Sequence, residues 1–189
     1  TQTKPAYDFA DVRSGAWYYG DVMYAAENGL MNGTSGSTFS PLENLTRAQL
    51  TAVLYRMDGS PAVSGTCSFT DAKRGAYYAD ALVWAERNAL VNGYGSGAFG
   101  VGDAITREQL VTILYRYAAY KGIDVSARAD LSGYRDAEKI SGYARDAFGW
   151  AVEAGLIRGS GDLLNPQGRT TRAEYAAIAA RFHKTFIAK

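Results

Sequence analysis

One sequence pattern occurs three times in the chain, and this repetition constrains the fold more than any other feature. The motifs TRAQ, TREQ and TRAE each carry an arginine, and these are Arg47, Arg107 and Arg172. An aspartate lies 36 residues before each arginine, and these are Asp11, Asp71 and Asp136. Between them lie the related blocks YAAENGLMNG (24–33), WAERNALVNG (84–93) and WAVEAGLIRG (150–159). Three motifs in one fixed order predict three copies of a single structural unit.

The copies are expected to span residues 1–60, 61–123 and 124–189 and to fold together as one unit. The connectors GSPAVSGT and GIDVSARADLS separate them. The third copy diverges most, because it has one extra residue before Trp150 and one fewer after Gly159. The sequence begins with TQTKPAYDF, and we expect the chain to be a piece of a longer protein.

Each copy is predicted to form a helix, a loop rich in Gly and Ser, and a second helix. In the first copy, the first helix is expected from about Trp17 to Asn28, with Gly29 as its left-handed cap. The corresponding cap positions are Ala89 and Gly155, so the capping is weaker in the second copy. One apolar residue is expected to hold each loop on the core, and these residues are Phe39, Phe99 and Leu164.

The second helix of each copy is predicted to begin at the repeated arginine. The flanking residues match a capping box in all three copies: Thr46 with Gln49, Thr106 with Gln109, and Thr171 with Glu174. Apolar residues then recur at helical spacing, as in Leu50, Val53, Leu54 and Met57, which predicts a buried stripe. We therefore predict an all-α fold, in which three helix-loop-helix repeats form a pseudo-threefold trimer around a central three-helix bundle.

The repeated arginine lies at the end of its helix where a cation is mildly repelled by the helix dipole. A second arginine, nine residues later, lies near the favourable end: Arg56, Arg116 and Arg181. Helix electrostatics explain that second set but leave Arg47, Arg107 and Arg172 unexplained. A guanidinium beside free backbone amides would bind a carboxylate or a phosphate. An internal salt bridge to one of the repeated aspartates is the alternative.

The aspartates and aromatic residues each allow two interpretations. The aspartates either cap the helix that follows or contribute to a ligand site. The aromatic clusters AWYYG (16–20) and AYYAD (76–80) suit either a core or a sugar-binding groove, where flat rings stack on the sugar. Trp84, Trp150 and Tyr24 fall inside the first helices and are expected mainly to pack.

Composition and motifs argue against several classes of protein. The formal net charge of +1 does not suit a nucleic-acid partner, which usually requires a basic excess. No apolar run approaches the length of a membrane-spanning helix, so membrane insertion is not expected. The sequence has no Cys/His metal cluster, calcium loop or P-loop, so no cofactor is expected.

An enzyme is not expected either. The single cysteine, Cys67, excludes an internal disulfide, and it lies in a connector far in sequence from the single histidine, His183. Glycoside hydrolysis would need an aspartate such as Asp11 to meet a glutamate in space, which the sequence leaves open. Threefold repetition argues against it, because an active site is usually single.

The aspartate, the helix ending near glycine, the glycine-rich loop and the TRA[E/Q] motif together closely resemble the S-layer homology (SLH) repeat. The resemblance covers nearly the whole chain. It implies an extracellular module at the bacterial cell surface that anchors the cargo domains of a longer protein to the cell wall. The implied partner is an acidic, often pyruvylated, secondary cell-wall polysaccharide. A protein–protein interaction or self-assembly module of a surface layer or adhesin is the alternative.

The resemblance also implies which residues line the ligand grooves between adjacent repeats. These are the three arginines and three aspartates, the aromatic residues Trp17, Tyr77 and Tyr143, and the loop glycines Gly33, Gly93 and Gly159. Tyrosine replaces the usual tryptophan in the second and third copies. Thr170 occupies a position that is usually aliphatic. We therefore expect the three grooves to be unequal.

Overall fold

The computed structural model describes residues 7–188, which form six α-helices. These are α1 (Tyr19–Glu27), α2 (Arg47–Met57), α3 (Ala79–Arg87), α4 (Arg107–Tyr120), α5 (Arg145–Glu153) and α6 (Arg172–Phe182). Two 3-10 turns, Ala137–Lys139 and Gly142–Ala144, precede α5, and a π-helical turn, His183–Ile187, follows α6. Within residues 7–188 the β-structure is limited to isolated bridges, so the predicted all-α class is confirmed.

Internal contacts divide the chain into two compact units. Unit 1 combines Thr1–Leu45 with Thr171–Lys189, and unit 2 is Thr46–Thr170. The predicted copies 1–60, 61–123 and 124–189 remain a prediction. Residues 1–6 and 189, at the outer ends of the first and last copy, lie outside the described residues.

The second helices begin where the sequence predicts. Each of the three repeated arginines is the first helical residue, and each preceding threonine forms a capping box. In α2 the Thr46 hydroxyl accepts a hydrogen bond from Gln49 N at 3.2 Å, and Thr46 N donates to Gln49 Oε1 at 3.1 Å. This reciprocal pair satisfies two backbone donors that the helix itself leaves unpaired.

The predicted apolar stripes of the second helices are buried. They comprise Leu50, Val53, Leu54 and Met57 in α2, Leu110, Ile113, Leu114 and Tyr117 in α4, and Tyr175, Ile178, Ala179 and Phe182 in α6. The predicted loop residues Phe39, Phe99 and Leu164 are completely buried as well. Trp84 and Trp150 pack inside the core as expected, whereas Tyr24 is only partly buried. Each unit therefore has a core built from the repeated apolar positions.

The helix pairing was not evident from the sequence. In unit 2, α2 packs against α3 of the following copy, and α4 packs against α5 of the copy after that. In unit 1, α6 packs against α1. Each second helix therefore covers the first helix of a different copy.

The first helices end in left-handed caps, as predicted. Gly29 has φ +66°, Gly155 has φ +68°, and Ala89 has φ +53° at the equivalent position. Helix α1 starts at Tyr19, later than the predicted Trp17, because Ala16 N bonds Arg13 O and Tyr19 N bonds Ala16 O in two successive turns. Among the described helices, none is both long and apolar enough to cross a membrane.

Candidate functional site

Each loop is held at one residue by both repeated charged side chains. At Phe99 in unit 2, Asp71 Oδ1 accepts from the backbone N–H at 2.7 Å, and Arg47 Nε donates to the carbonyl oxygen at 2.8 Å. The aspartate and the arginine come from different copies. The pairs that meet in space are therefore not the pairs separated by 36 residues in the sequence.

The same arrangement holds the other two loops. At Leu164 in unit 2, the N–H donates to Asp136 and the carbonyl accepts from Arg107 Nε, each at 2.8 Å. At Phe39 in unit 1, the partners are Asp11 and Arg172, again at 2.8 Å. We call this contact the loop bracket: an aspartate on the amide and an arginine on the carbonyl of one buried apolar residue.

The interpretation of the aspartates as helix caps is wrong. The N-caps of α1 and α3 are Tyr18 and Tyr78, whereas Asp11 and Asp71 reach loops 28 to 30 residues away. The reason is that the loop turns back on the start of its own copy and offers consecutive amides. Each of these amides contributes a hydrogen bond to the charged carboxylate.

These amide bonds also change the acidity of two aspartates. Burial alone would raise the pKa of Asp71, but hydrogen bonds from the Val101, Phe99 and Gly100 amides outweigh it and hold the pKa below its ordinary value. Burial and the amides of the Leu164 loop act on Asp136 in the same opposed way, and its pKa is also lowered.

Arg47 is buried rather than exposed at the start of its helix, with only 5% of its surface accessible. Besides its bond to Phe99 O, its Nη2 donates to Asn92 O at 2.9 Å. The guanidinium carbon lies 4.5 Å from the Phe99 ring centroid and 4.9 Å from that of Tyr94. Burial lowers the pKa of Arg47, while the nearby Tyr94 and Asp103 oppose this. The group stays cationic, because arginine does not lose its proton in proteins.

The backbone amides beside the repeated arginines are not free either, contrary to the sequence-based interpretation. The N–H groups of Arg47, Arg107 and Arg172 donate to the carbonyls of Asp103, Gly168 and Glu43 at 2.9 to 3.0 Å. The first amide of each second helix is therefore satisfied by a loop carbonyl.

An open cavity of about 310 Å³ lies beside Arg47 within unit 2. Its lining includes Arg47, Gly93, Tyr94, Gln109, Arg116 and Tyr143. These residues come from α2, from the second loop, from α4 and from the turn before α5. Two guanidinium groups and two phenol rings around one cavity suit an anionic ligand that also carries flat or polar ring surfaces.

Tyr143 is fixed at the edge of this cavity by a carboxylate. Its hydroxyl donates to Glu108 Oε1 at 3.1 Å, although 57% of the residue remains exposed. Burial, and then the charge of Glu108 and the hydrogen bond to it, raise the pKa of Tyr143 to about 12. The charges of Arg47 and Arg116, which line the same cavity, act in the opposite direction.

A family model described as S-layer homology domain matches residues 8–51, 68–111 and 133–176. The chain belongs to the S-layer homology domain family. Each of the three matched segments runs from a repeated aspartate region through the loop to the start of a second helix. The three SLH copies predicted from the sequence are thereby confirmed.

Curated relatives contain this segment as a small part of longer proteins. The chain is 32% identical to an endoglucanase of Bacillus sp. (strain KSM-635) over 92% of the chain and 18% of that protein. It is 26% identical to the surface-layer 125 kDa protein of Lysinibacillus sphaericus, over 85% of the chain and 13% of that protein. It is also 26% identical to a cellulosome-anchoring protein of Acetivibrio thermocellus, over 80% of the chain and 34% of that protein.

The structure brings some of the residues implied by the SLH resemblance together and explains others by packing. Arg47, Gly93 and Tyr143 share the cavity, and Asp71 holds the loop behind it. Gly93 is required by space, because a Cβ atom there would lie 2.8 Å from Ala98 O. An added Cβ would be equally crowded at the other two loop glycines, Gly33 and Gly159.

The remaining implied aromatic residues are largely exposed. Trp17 in unit 1 is 66% exposed and packs edge-on against Tyr18, with ring centroids 5.3 Å apart. Tyr77 in unit 2 is 64% exposed and packs the same way against Tyr78 at 5.1 Å. Neither ring serves the core, in contrast to Trp84 and Trp150.

Sequence reasoning missed Arg116, which it assigned to helix electrostatics alone. Arg116 faces the cavity, and its Nη1 lies 3.5 Å from Leu90 O. The signal was present in the sequence, because Gln109, Thr112, Ile113 and Arg116 follow the spacing of one helix face. All four residues line the cavity.

The single cysteine and the single histidine have separate surroundings in the structure. Cys67 is a free, partly buried cysteine in unit 2. The Nδ1 atom of His183 in unit 1 lies 2.8 Å from the hydroxyl of Tyr24, within hydrogen-bond distance. In the part of the chain that the structure describes, no three His, Cys, Asp or Glu residues are grouped to hold a metal ion.

Proposed function

We propose that this SLH chain anchors a longer surface protein to the bacterial cell wall by binding an acidic wall polysaccharide, of which a pyruvylated sugar is the expected form. The observation that carries the proposal is the cavity in unit 2, where Arg47 and Arg116 lie beside the exposed ring of Tyr143. Guanidinium groups bind carboxylates through paired hydrogen bonds, and aromatic faces pack on sugar rings.

The two arginines have different parts in this proposal. Arg47 donates two N–H groups to loop carbonyls, and its side chain also lines the cavity. It therefore forms a fixed wall of the groove. Arg116 is half-buried, and among residues 7–188 its guanidinium makes a single long hydrogen bond of 3.5 Å, to Leu90 O, so it can turn towards an acidic group.

The relatives support an anchoring role. One is named as a cellulosome-anchoring protein and another as a surface-layer protein, which suits a location at the bacterial cell surface. The endoglucanase is matched over only 18% of its length. A module shared by these proteins is better explained by attachment than by catalysis, so we propose that the chain is not an enzyme and that its cargo lies elsewhere in the longer protein.

The other implied site residues are proposed to line corresponding but unequal grooves. These are Arg107, Arg172, Asp11, Asp136, Trp17, Tyr77, Gly33 and Gly159. We also propose the pseudo-threefold arrangement predicted from the sequence. It is supported by the pairing of each second helix with the first helix of a different copy.

Binding to protein-free wall sacculi, before and after chemical removal of their acidic polysaccharide, tests the proposal. We expect retention by the intact sacculi and its loss after stripping. The variant Arg116→Ala should bind purified polysaccharide less tightly by about 1.5–3 kcal/mol, the scale of a hydrogen bond to a charged group. The exposed Arg74 of the same unit provides the control, because Arg74→Ala removes the same charge away from the groove.

Equal retention on stripped and intact sacculi would contradict the polysaccharide as ligand. Self-association of the chain without retention on either would favour the alternative of a self-assembly module.

A further inference from the structure

A carboxylate, that of Glu108, lies behind the cavity beside Arg47. The equivalent positions of the other two copies carry no carboxylate. Glu108 is the second residue of α4, directly after the repeated arginine. The equivalent residues of α2 and α6 are Ala48 and Ala173. Because alanine has no hydrogen-bonding side chain, the sequence provides this carboxylate in one copy of the three.

Glu108 is buried, with 7% of its surface accessible, and its carboxylate is fully engaged. Oε1 accepts from Ser141 Oγ at 3.0 Å and from the Tyr143 hydroxyl at 3.1 Å. Oε2 accepts from Ser141 N at 3.1 Å and from Gln167 Nε2 at 3.2 Å. Four donors fix the orientation of the carboxylate, so it serves the groove through its neighbours rather than by touching a ligand.

The bond from Tyr143 decides what that tyrosine offers to a ligand. A phenol has one proton, and here the proton points to Glu108. The phenol oxygen therefore faces the groove as a hydrogen-bond acceptor. A ligand group that meets it has to be a donor, such as a sugar hydroxyl or an amide N–H, and not a carboxylate.

We infer that Glu108 is a positioning residue that makes Tyr143 an acceptor, so that the groove selects an acidic sugar carrying a hydroxyl or N–H donor beside its acidic group. The inference rests on the proposed function and adds the orientation of the ligand in the groove. The charge of Glu108 repels an anion at the Tyr143 end, while Arg47 and Arg116 attract one, so the acidic group lies towards the arginines. A bare polyanion satisfies the arginines but leaves Tyr143 without a donor.

Calorimetry with two ligands tests this selection: purified acidic wall polysaccharide, and inorganic polyphosphate as a polyanion without sugar hydroxyls. For Glu108→Ala we expect the polysaccharide affinity to fall about threefold to tenfold, the scale of one ordinary hydrogen bond. The polyphosphate affinity should hold or rise, because a negative charge has been removed. Glu138→Ala is the matched control, since Glu138 is an exposed carboxylate of the same unit. It should change both affinities in the same direction.

A second comparison separates positioning from a purely structural role. In a Tyr143→Phe background, removing Glu108 should cause no further loss of polysaccharide affinity, because the phenol through which it acts is absent. Glu108→Gln should retain part of the affinity, since its amide oxygen still accepts the phenol proton. In ¹³C-tyrosine NMR spectra, assigned with Tyr143→Phe, both Glu108 variants should lower the pKa of Tyr143.

Several outcomes would overturn the inference. If removing Glu108 causes the same loss of affinity in the wild-type background and in the Tyr143→Phe background, Glu108 supports only the fold. Tight polysaccharide binding by wild type that Glu108→Ala and Glu108→Gln leave unchanged would reject the inference while the proposed function stands. Failure of wild type to bind the polysaccharide would instead reject the proposed function itself. If Glu108→Ala does not fold, Glu108→Gln and the NMR titration of Tyr143 still test whether Glu108 positions the phenol.

Discussion

Arg47 donates two hydrogen bonds to carbonyl oxygens of the next copy and stacks on the buried Phe99 ring. An unfavourable charge at a helix N-terminus costs about 0.3–1 kcal/mol. A hydrogen bond to a charged group contributes about 1.5–3 kcal/mol. The contacts therefore outweigh the dipole, which explains why an arginine recurs at this position. The sequence indicated that an arginine is needed at this helix start, but it could not identify the partners of its side chain. These partners, Asn92 and Phe99, lie 45 and 52 residues away in the sequence.

Arg47→Ala should lower the free energy of unfolding by about 2–4 kcal/mol, because the buried Phe99 carbonyl and the part-buried Asn92 carbonyl lose their donor. Lysine should recover only part of this, since it lacks the planar fork that reaches both carbonyls. Urea unfolding of the two variants, with Arg74→Ala as the exposed control, measures the effect. A loss below about 0.5 kcal/mol, typical of surface substitutions, would mean that the bracket contributes little.

Thr170 is a second residue whose role follows from burial. It is completely buried at the position that Leu45 and Ile105 occupy in the other copies. Among residues 7–188 its hydroxyl finds no hydrogen-bond partner. A buried unsatisfied polar group costs about 1–3 kcal/mol, and Thr170→Val keeps the shape and removes the hydroxyl. The substitution should therefore raise the midpoint of urea unfolding by an amount equivalent to about 1 kcal/mol. A lower midpoint would show that the hydroxyl is satisfied after all.

At the scale of the elements, local sequence signals predicted the second helices well. They did not predict which helices pack against each other. The capping boxes and apolar stripes act within a few residues, so the starts and buried faces of α2, α4 and α6 were readable from the sequence. Which first helix each of them covers depends on the path of the connectors and loops, which carries no such local signal. For the same reason Arg116, on a face adjacent to the apolar stripe of α4, was not recognised as part of the groove.

The caps of the first helices allow a matched test of backbone strain. Ala89 adopts φ +53° on the surface, whereas Gly29 adopts φ +66° with open space around an added Cβ. An L-residue in this conformation costs about 1–2 kcal/mol, which glycine avoids. Part of this advantage is offset, because glycine has greater conformational freedom in the unfolded chain. Ala89→Gly should therefore stabilise the chain by about 0.5–1 kcal/mol, and Gly29→Ala should destabilise it by a similar amount. Thermal unfolding of both variants checks the opposite signs, and equal signs would contradict the account.

At the scale of the whole molecule, the loop bracket recurs at Phe39, Phe99 and Leu164. The repeat showed that the aspartates, the arginines and these loop residues belong together. It could not show that the aspartate and arginine of one bracket come from different copies, because identical motifs leave that choice open. The family resemblance likewise predicts a ligand groove that includes Tyr143, and that role stays a prediction. It could not predict the carboxylate of Glu108 beside Tyr143, because the residue at this position varies among the copies.

The brackets make the stability of the chain sensitive to acid. Asp71 and Asp136 have lowered pKa values in the folded chain, because backbone amides outweigh the effect of burial. Above the unfolded aspartate pKa of about 3.9, both groups are ionised in either state and their stabilising contribution is fully present. As the pH falls through that value towards the lowered folded pKa, the unfolded chain takes up protons first, and the contribution is lost.

Urea unfolding at a series of pH values between about 5 and 2 should therefore show a midpoint that falls steadily with acid. Asp71→Asn should flatten this dependence and lower the stability at neutral pH, because the neutral amide accepts hydrogen bonds more weakly and cannot lose a charge. Asp146→Asn is the matched control, since the Asp146 side chain is 82% exposed and lies outside the brackets. The same slope in Asp71→Asn and in wild type would mean that acid acts on other carboxylates, and that the bracket at Phe99 does not govern the response.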